Sequence, residues 1–96
     1  MVTLSDIQQK RAEILKLADK YGAVNVRVFG SVVRGTAVEG SDLDLLVRML
    51  PGRSLIDRIA LMQDLEDMLH IKVDVVNEKV LHKATSESVL KEAVPL

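Results

Sequence analysis

Eleven residues separate Gly30 from Asp42, and each end of that gap borders a run with strand periodicity. Upstream, Val24, Val26 and Val28 alternate with Asn25, Arg27 and Phe29, a period of two that predicts a strand closing at Gly30. Downstream, Asp42 to Met49 predicts a second strand. Parallel neighbours need a crossover of roughly a dozen residues or more. The link is short for that, so the two strands are expected to run antiparallel, with Gly30 beside Asp42.

The other elements follow from caps and periods. Leu4, Ile7, Ile14, Leu15 and Ala18 recur at helical spacing after Thr3, a capping residue, and Tyr21-Gly22 supplies a stop, predicting one helix over 3–21. Ser31 can cap a short helix over 31–35, and 36–41 reads as a loop. After the Pro51-Gly52 break, Ser54 can cap a helix over 54–69. Leu55, Ile59, Met62, Leu65 and Leu69 mark its buried stripe, and Asp57, Arg58, Asp64 and Asp67 form a solvated face. Ile71, Val73 and Val75 alternate with Lys72 and Asp74 as a third strand. Asn77 can cap a helical segment carrying Val80, Leu81 and Ala84, and a further short helix over 86–92 ends before Pro95.

The element order αβαβαβα predicts an α/β (α+β) fold in one domain over 1–96, a three-stranded mixed sheet covered by helices. The 54–69 helix gives strands two and three a link long enough for a right-handed parallel crossover, which sets Asp74 level with Asp44.

Composition narrows the function. Thirteen Lys and Arg against 14 Asp and Glu leave a net charge of −1, which exerts no global pull on nucleic acid, so any phosphate binding must be local. Direct nucleic-acid binding is not expected. One Tyr and one Phe also supply few platforms for stacking bases. Cysteine is absent, which removes disulfides and thiolate zinc sites. No apolar run approaches the roughly 20 residues that span a bilayer, and the first residues are unlike a secretory signal, so a cytoplasmic protein with no membrane contact is expected. A chain this short has a modest core, and the apolar surface left over favours a partner or self-association into a homo-oligomer. His70 and His82 lie near nothing with ligand spacing and read as helix-end residues.

The chemistry concentrates around the Gly30-to-Asp42 gap. Asp42 and Asp44, two apart on a strand, put their carboxylates on one face. Like charges this close repel, a cost that a divalent cation removes. Magnesium suits such oxygen ligands, usually one or two protein carboxylates together with substrate phosphates, and Asp74 is a third candidate ligand. Gly30 lets a phosphate approach the backbone where the strand passes into a helix, the Ser31 hydroxyl adds a contact, and Arg34 one turn on can pair with a phosphate oxygen.

Gly30-Ser31, ten intervening residues and then Asp42-Leu43-Asp44 resemble the signature of the DNA polymerase beta superfamily. Residues 28–35 (Val-Phe-Gly-Ser-Val-Val-Arg-Gly) and 41–47 (Ser-Asp-Leu-Asp-Leu-Leu-Val) look most like its minimal nucleotidyltransferase branch. The resemblance implies the nucleotidyltransferase fold and ATP as substrate. It also implies a two-metal transfer in which Asp42 and Asp44 hold magnesium ions on the triphosphate and Asp74 positions or deprotonates the attacking hydroxyl. Gly30, Ser31 and Arg34 would bind the nucleotide. Members of this branch are often paired with an all-helical toxin of the HEPN class and act as its antitoxin by adding AMP to a tyrosine, which the resemblance implies here too. An antitoxin that only masks its partner by binding is the alternative.

Overall fold

The computed structural model describes residues 2–81 and 83–96, with backbone alone for 83–86. His82 and the side chain of Ala84 therefore lie outside the described residues.

The helix expected over 3–21 is two helices, α1 (Leu4–Gln9) and α2 (Arg11–Lys20), broken at Lys10. Thr3 starts α1 through a reciprocal capping box, its hydroxyl accepting from the Asp6 amide while the Asp6 carboxylate accepts from the Thr3 amide. Ile7 and Ile14, on either side of the break, are both fully buried.

Strand β1 (Ala23–Phe29) pairs antiparallel with β2 (Leu43–Met49), as the short link requires. Asn25 sits at φ 55°, and the register slips between Val24 and Arg27. Val26, within this bulge, and Val28 beyond it enter the core, and Arg27 turns to the other face of the sheet. Helix α3 (Ser31–Arg34) follows β1.

Helix α4 (Leu55–Leu69) carries the chain across to β3 (Val73–Asn77), which runs parallel to β2 with Asp44 opposite Asp74, the expected register. The strand starts two residues later than its alternation predicts. His70 ends α4 in the left-handed region at φ 58°, and the Glu66 carboxylate accepts from the Val73 amide where the strand begins. Only Leu61 and Leu65 of α4 are fully buried, and Leu55 and Ile59, expected in its buried stripe, are 60% and 42% exposed. Arg58, expected on the solvated face, reaches inward instead and donates to the Val75 carbonyl.

After β3 the chain makes a 3-10 turn (Glu78–Val80), where the Asn77 side chain accepts from the Lys79 amide, and then one helix, α5 (Lys83–Glu92). A fourth strand corrects the three-stranded expectation: β4 (Val94–Pro95) pairs antiparallel with β1, giving the order β3-β2-β1-β4. A proline is compatible with a strand that pairs on one side only, because its missing N–H removes no ladder bond on the open edge.

The core lies on one face of the sheet, where Val28, Leu43, Leu45, Val47 and Val75 meet Ile7 and Ile14 from the first two helices and Leu61 and Leu65 from α4. Each such side chain contributes about 1.5–3 kcal/mol by burial. The opposite face carries Asp44 and Asp74 at one end. Farther along it lies an ion pair in which Arg27 Nη2 meets Glu78 Oε1 at 2.7 Å.

Candidate active site

The site forms where β1 ends and β2 and β3 begin. Phe29 pairs with Asp44, so Gly30 turns directly against the Asp44 side chain. Gly30 adopts φ 79° and ψ −154°, a conformation side chains disfavour, and a Cβ there would collide with Asp44 Oδ2 and stand 3.2 Å from its Cγ. Glycine is therefore needed twice over, for backbone conformation and for space.

Gly30, not Ser31, is the N-cap of α3. Its carbonyl accepts from the amides of Val33 and Arg34, each at 3.1 Å, and Ser31 is the first helical residue. The cap expected of Ser31 is thus not made by its hydroxyl, which sits half-buried at the start of the helix. The first amides of a helix have no intrahelical partner, so those of Ser31 and Val32 can donate to a ligand, whereas those of Val33 and Arg34 are engaged by Gly30. Arg34 closes α3 from an exposed position, and Gly35 follows in the left-handed conformation.

Asp42 lies just before β2 and is exposed, Asp44 is half-buried, and Asp74 is exposed beside it on the parallel neighbour. Burial pushes the Asp44 carboxyl above the usual carboxylate range, and the negative charges of Asp74 and Asp42 push it further. Arg34 pulls it back and Glu92 adds to the rise. Four charged groups, Asp74, Asp42, Arg34 and Glu92, thus act on Asp44. Glu92 is the member that sequence reasoning missed. It accepts from Arg34 Nη1 at 2.6 Å across 58 residues of chain.

The donor set is carboxylate oxygen throughout, which suits a hard divalent cation such as magnesium, and beyond the effect of burial the Asp44 carboxyl is raised by repulsion from Asp74 and Asp42 that such a cation would relieve. Among the described residues, no three His, Cys, Asp or Glu groups converge closely enough to form a metal site as they stand. A cavity of about 580 Å³ adjoins Asp42, walled by Val38 and Ser41 on one side and His70 and Lys72 on the other. Another, of about 840 Å³, lies between α2 and α4 among Lys16, Lys20, Asp64 and Met68 and contains none of these site residues. None of the described helices is long and apolar enough to cross a membrane.

Comparison with known proteins agrees with this geometry. The family model for the nucleotidyltransferase domain matches residues 10–96. The protein adenylyltransferase MntA of Thermococcus cleftensis is 38% identical over 95 residues, covering 98% of this chain and 96% of that protein. A solved structure assigned to the minimal nucleotidyltransferases superposes with a TM-score of 0.88 at 47% identity, covering 99% of this chain and 97% of its own. A toxin–antitoxin crystal structure with AMP-PNP superposes with a TM-score of 0.75 at 26% identity, over 88% of this chain and 69% of the matched one. The chain belongs to the nucleotidyltransferase domain family, among relatives of the MntA protein adenylyltransferase.

Proposed function

We propose that this chain transfers AMP from ATP to a side-chain hydroxyl, a tyrosine, of a helical HEPN-class toxin, and by that modification acts as its antitoxin. The observation that carries the reading is the packing of the Gly30–Ser31 turn directly on Asp44, with Asp42 and Asp74 close enough to shift its titration. A phosphate cradle and a cluster of carboxylates thereby adjoin. Relationship to the Thermococcus protein adenylyltransferase and the AMP-PNP in the toxin–antitoxin structure support the same reaction class.

In this reading Asp42, Asp44 and Asp74 would hold two magnesium ions. When bound, magnesium would neutralise charge on the triphosphate and on the displaced oxygen. Ser31, the first amides of α3 and Arg34 hold the outer phosphates, fixing the pyrophosphate at the β1 end of the site. The acceptor oxygen forms its bond to the α-phosphorus as the bond to the bridging oxygen breaks, and pyrophosphate leaves. In-line displacement places the acceptor opposite the leaving group. It therefore enters from the β3 side, where Asp74 can take its proton and the cavity beside Asp42 opens. Positioning and charge stabilisation account for the rate.

The test is transfer of label from α-labelled ATP, with magnesium, to a co-expressed helical toxin. The Asp42→Asn, Asp44→Asn double variant is expected to lose at least ~1,000-fold in rate, about 4 kcal/mol of transition-state stabilisation, while remaining folded. Protection of cells by that variant would refute the enzymatic reading in favour of masking by binding.

A further inference from the structure

We propose that Glu92 is a positioning residue that holds Arg34 toward the nucleotide phosphates and away from the carboxylate cluster. The inference rests on the reading of Arg34 as a phosphate ligand.

Glu92 is the last residue of α5, and the chain beyond it is fixed at once, since Val94 and Pro95 pair with Val28 and Arg27 on β1, just before Gly30. The Ala93 amide donates to the Val89 carbonyl, closing the helix end, and the Leu96 amide donates to the Val26 carbonyl. Glu92 is thus anchored on both sides beside the phosphate turn. Its side chain is 20% exposed against 56% for Arg34, so the carboxylate is the better-held partner of the 2.6 Å pair.

Arg34 closes the four-residue helix whose N-cap, Gly30, packs directly against the Asp44 side chain, so the two lie at the same end of the sheet. A guanidinium on a flexible stem, at the end of a four-residue helix, would otherwise be drawn to the nearest carboxylates. Settling on Asp44 would block a residue proposed to hold the cation and would take the arginine from the phosphates. Glu92 supplies an alternative partner. It engages one Nη of a group that carries five N–H donors, leaving the others for phosphate oxygen. Its negative charge also repels the triphosphate, so the two effects oppose each other and predict opposite outcomes when the charge is removed.

The test is binding of magnesium–AMP-PNP by calorimetry, with steady-state transfer in parallel, for wild type, Glu92→Gln, Glu92→Asp, Arg34→Gln and the Arg34→Gln, Glu92→Gln double variant. Positioning predicts nucleotide affinity about tenfold weaker in Glu92→Gln, KM raised more than kcat is lowered, partial recovery in Glu92→Asp, and no further loss when Glu92→Gln is added to Arg34→Gln. Glu92→Asp keeps the inference testable if Glu92→Gln unfolds, because restoring charge at shorter reach should place it between wild type and Arg34→Gln. Unchanged or tighter binding in Glu92→Gln, with weaker binding in Arg34→Gln, would overturn the positioning role alone. Undiminished binding in Arg34→Gln would overturn the phosphate reading of Arg34 itself, and the role of Glu92 with it.

Discussion

Asp44 concentrates the conflict between stability and function. Its carboxyl titrates above the ordinary value of 3.8 because it is partly buried and faces Asp74 and Asp42. A raised carboxyl means that the native protein binds the proton more tightly than the unfolded chain does. The stabilisation from that proton is complete below the ordinary value and is lost as pH rises through the raised one, so at neutral pH the Asp44 charge is a net cost. Asp44→Asn is therefore expected to unfold at a higher temperature than wild type at pH 7 without added metal. The two midpoints should converge as pH falls toward 3.8, which melting curves across that range would show. Gly30→Ala acts in the opposite sense. Its Cβ meets the Asp44 carboxylate and its φ is strained, so it should cost about 1–3 kcal/mol and lower the melting temperature by at least ~4 °C, with loss of transfer. An unperturbed Gly30→Ala melting curve would contradict the packing described for the turn. These residues were legible in the sequence because their spacing is local: Gly30 and Ser31 end one strand, and Asp42 and Asp44 begin the next. Asp74 needed one added step, the parallel crossover through α4. Glu92 lay beyond reach, since nothing in its own neighbourhood marks it and its partner is 58 residues away.

The elements that sequence reasoning placed well are those whose ends carry a local chemical reason. Thr3 caps α1 and Ser54 caps α4, where the Asp57 carboxylate accepts from the Ser54 amide at 2.9 Å and that bond holds its carboxyl below the usual range. The misplaced features are set by tertiary contacts instead. Nothing in the helical period between Ile7 and Ile14 announces the break at Lys10, and β4 is two residues long, too short for alternation to show, its existence owed to the open edge of β1. Leu55 and Ile59 fit the α4 stripe by spacing yet stand exposed, because periodicity assigns a face but not how far the underlying sheet extends. His70 shows how an end can be functional for the fold yet not optimal. It closes α4 at φ 58°, where glycine is the usual residue, and its amide still donates to the Glu66 carbonyl at 2.8 Å. His70→Gly keeps that bond and removes the left-handed strain, so it is expected to stabilise by roughly 0.5–1 kcal/mol, measured by denaturant midpoint at unchanged slope. A loss of stability would mean that the imidazole, on the wall of the cavity beside Asp42, makes a contact worth more than the backbone strain.

At the scale of the molecule, 96 residues with a radius of gyration of 12.5 Å support one modest core on one face of a four-stranded sheet, and the other face carries the charged site. Leu55, Ile56 and Ile59 on α4, together with Val80, remain exposed, consistent with the apolar surplus expected of so short a chain. A domain of this size has little stability in reserve, so a ligand that binds only the native state should produce a large thermal response. The sign of each component follows from charge. Nucleotide alone brings further negative charge to a site that already holds Asp42, Asp44 and Asp74, and should raise the melting temperature little. Magnesium alone relieves part of the carboxylate repulsion and should raise it modestly. Together they should act more than additively, because the cation neutralises both partners at once. At a hundredfold excess over Kd the complex contributes about 2.7 kcal/mol. For a domain of this length that corresponds to roughly 10 °C or more. Asp44→Asn should begin higher and respond far less, so that wild type overtakes it only when both ligands are present. A full shift with nucleotide in the presence of a chelator would show that the carboxylates do not act through a cation, and the assignment of Asp42, Asp44 and Asp74 as its ligands would have to be abandoned.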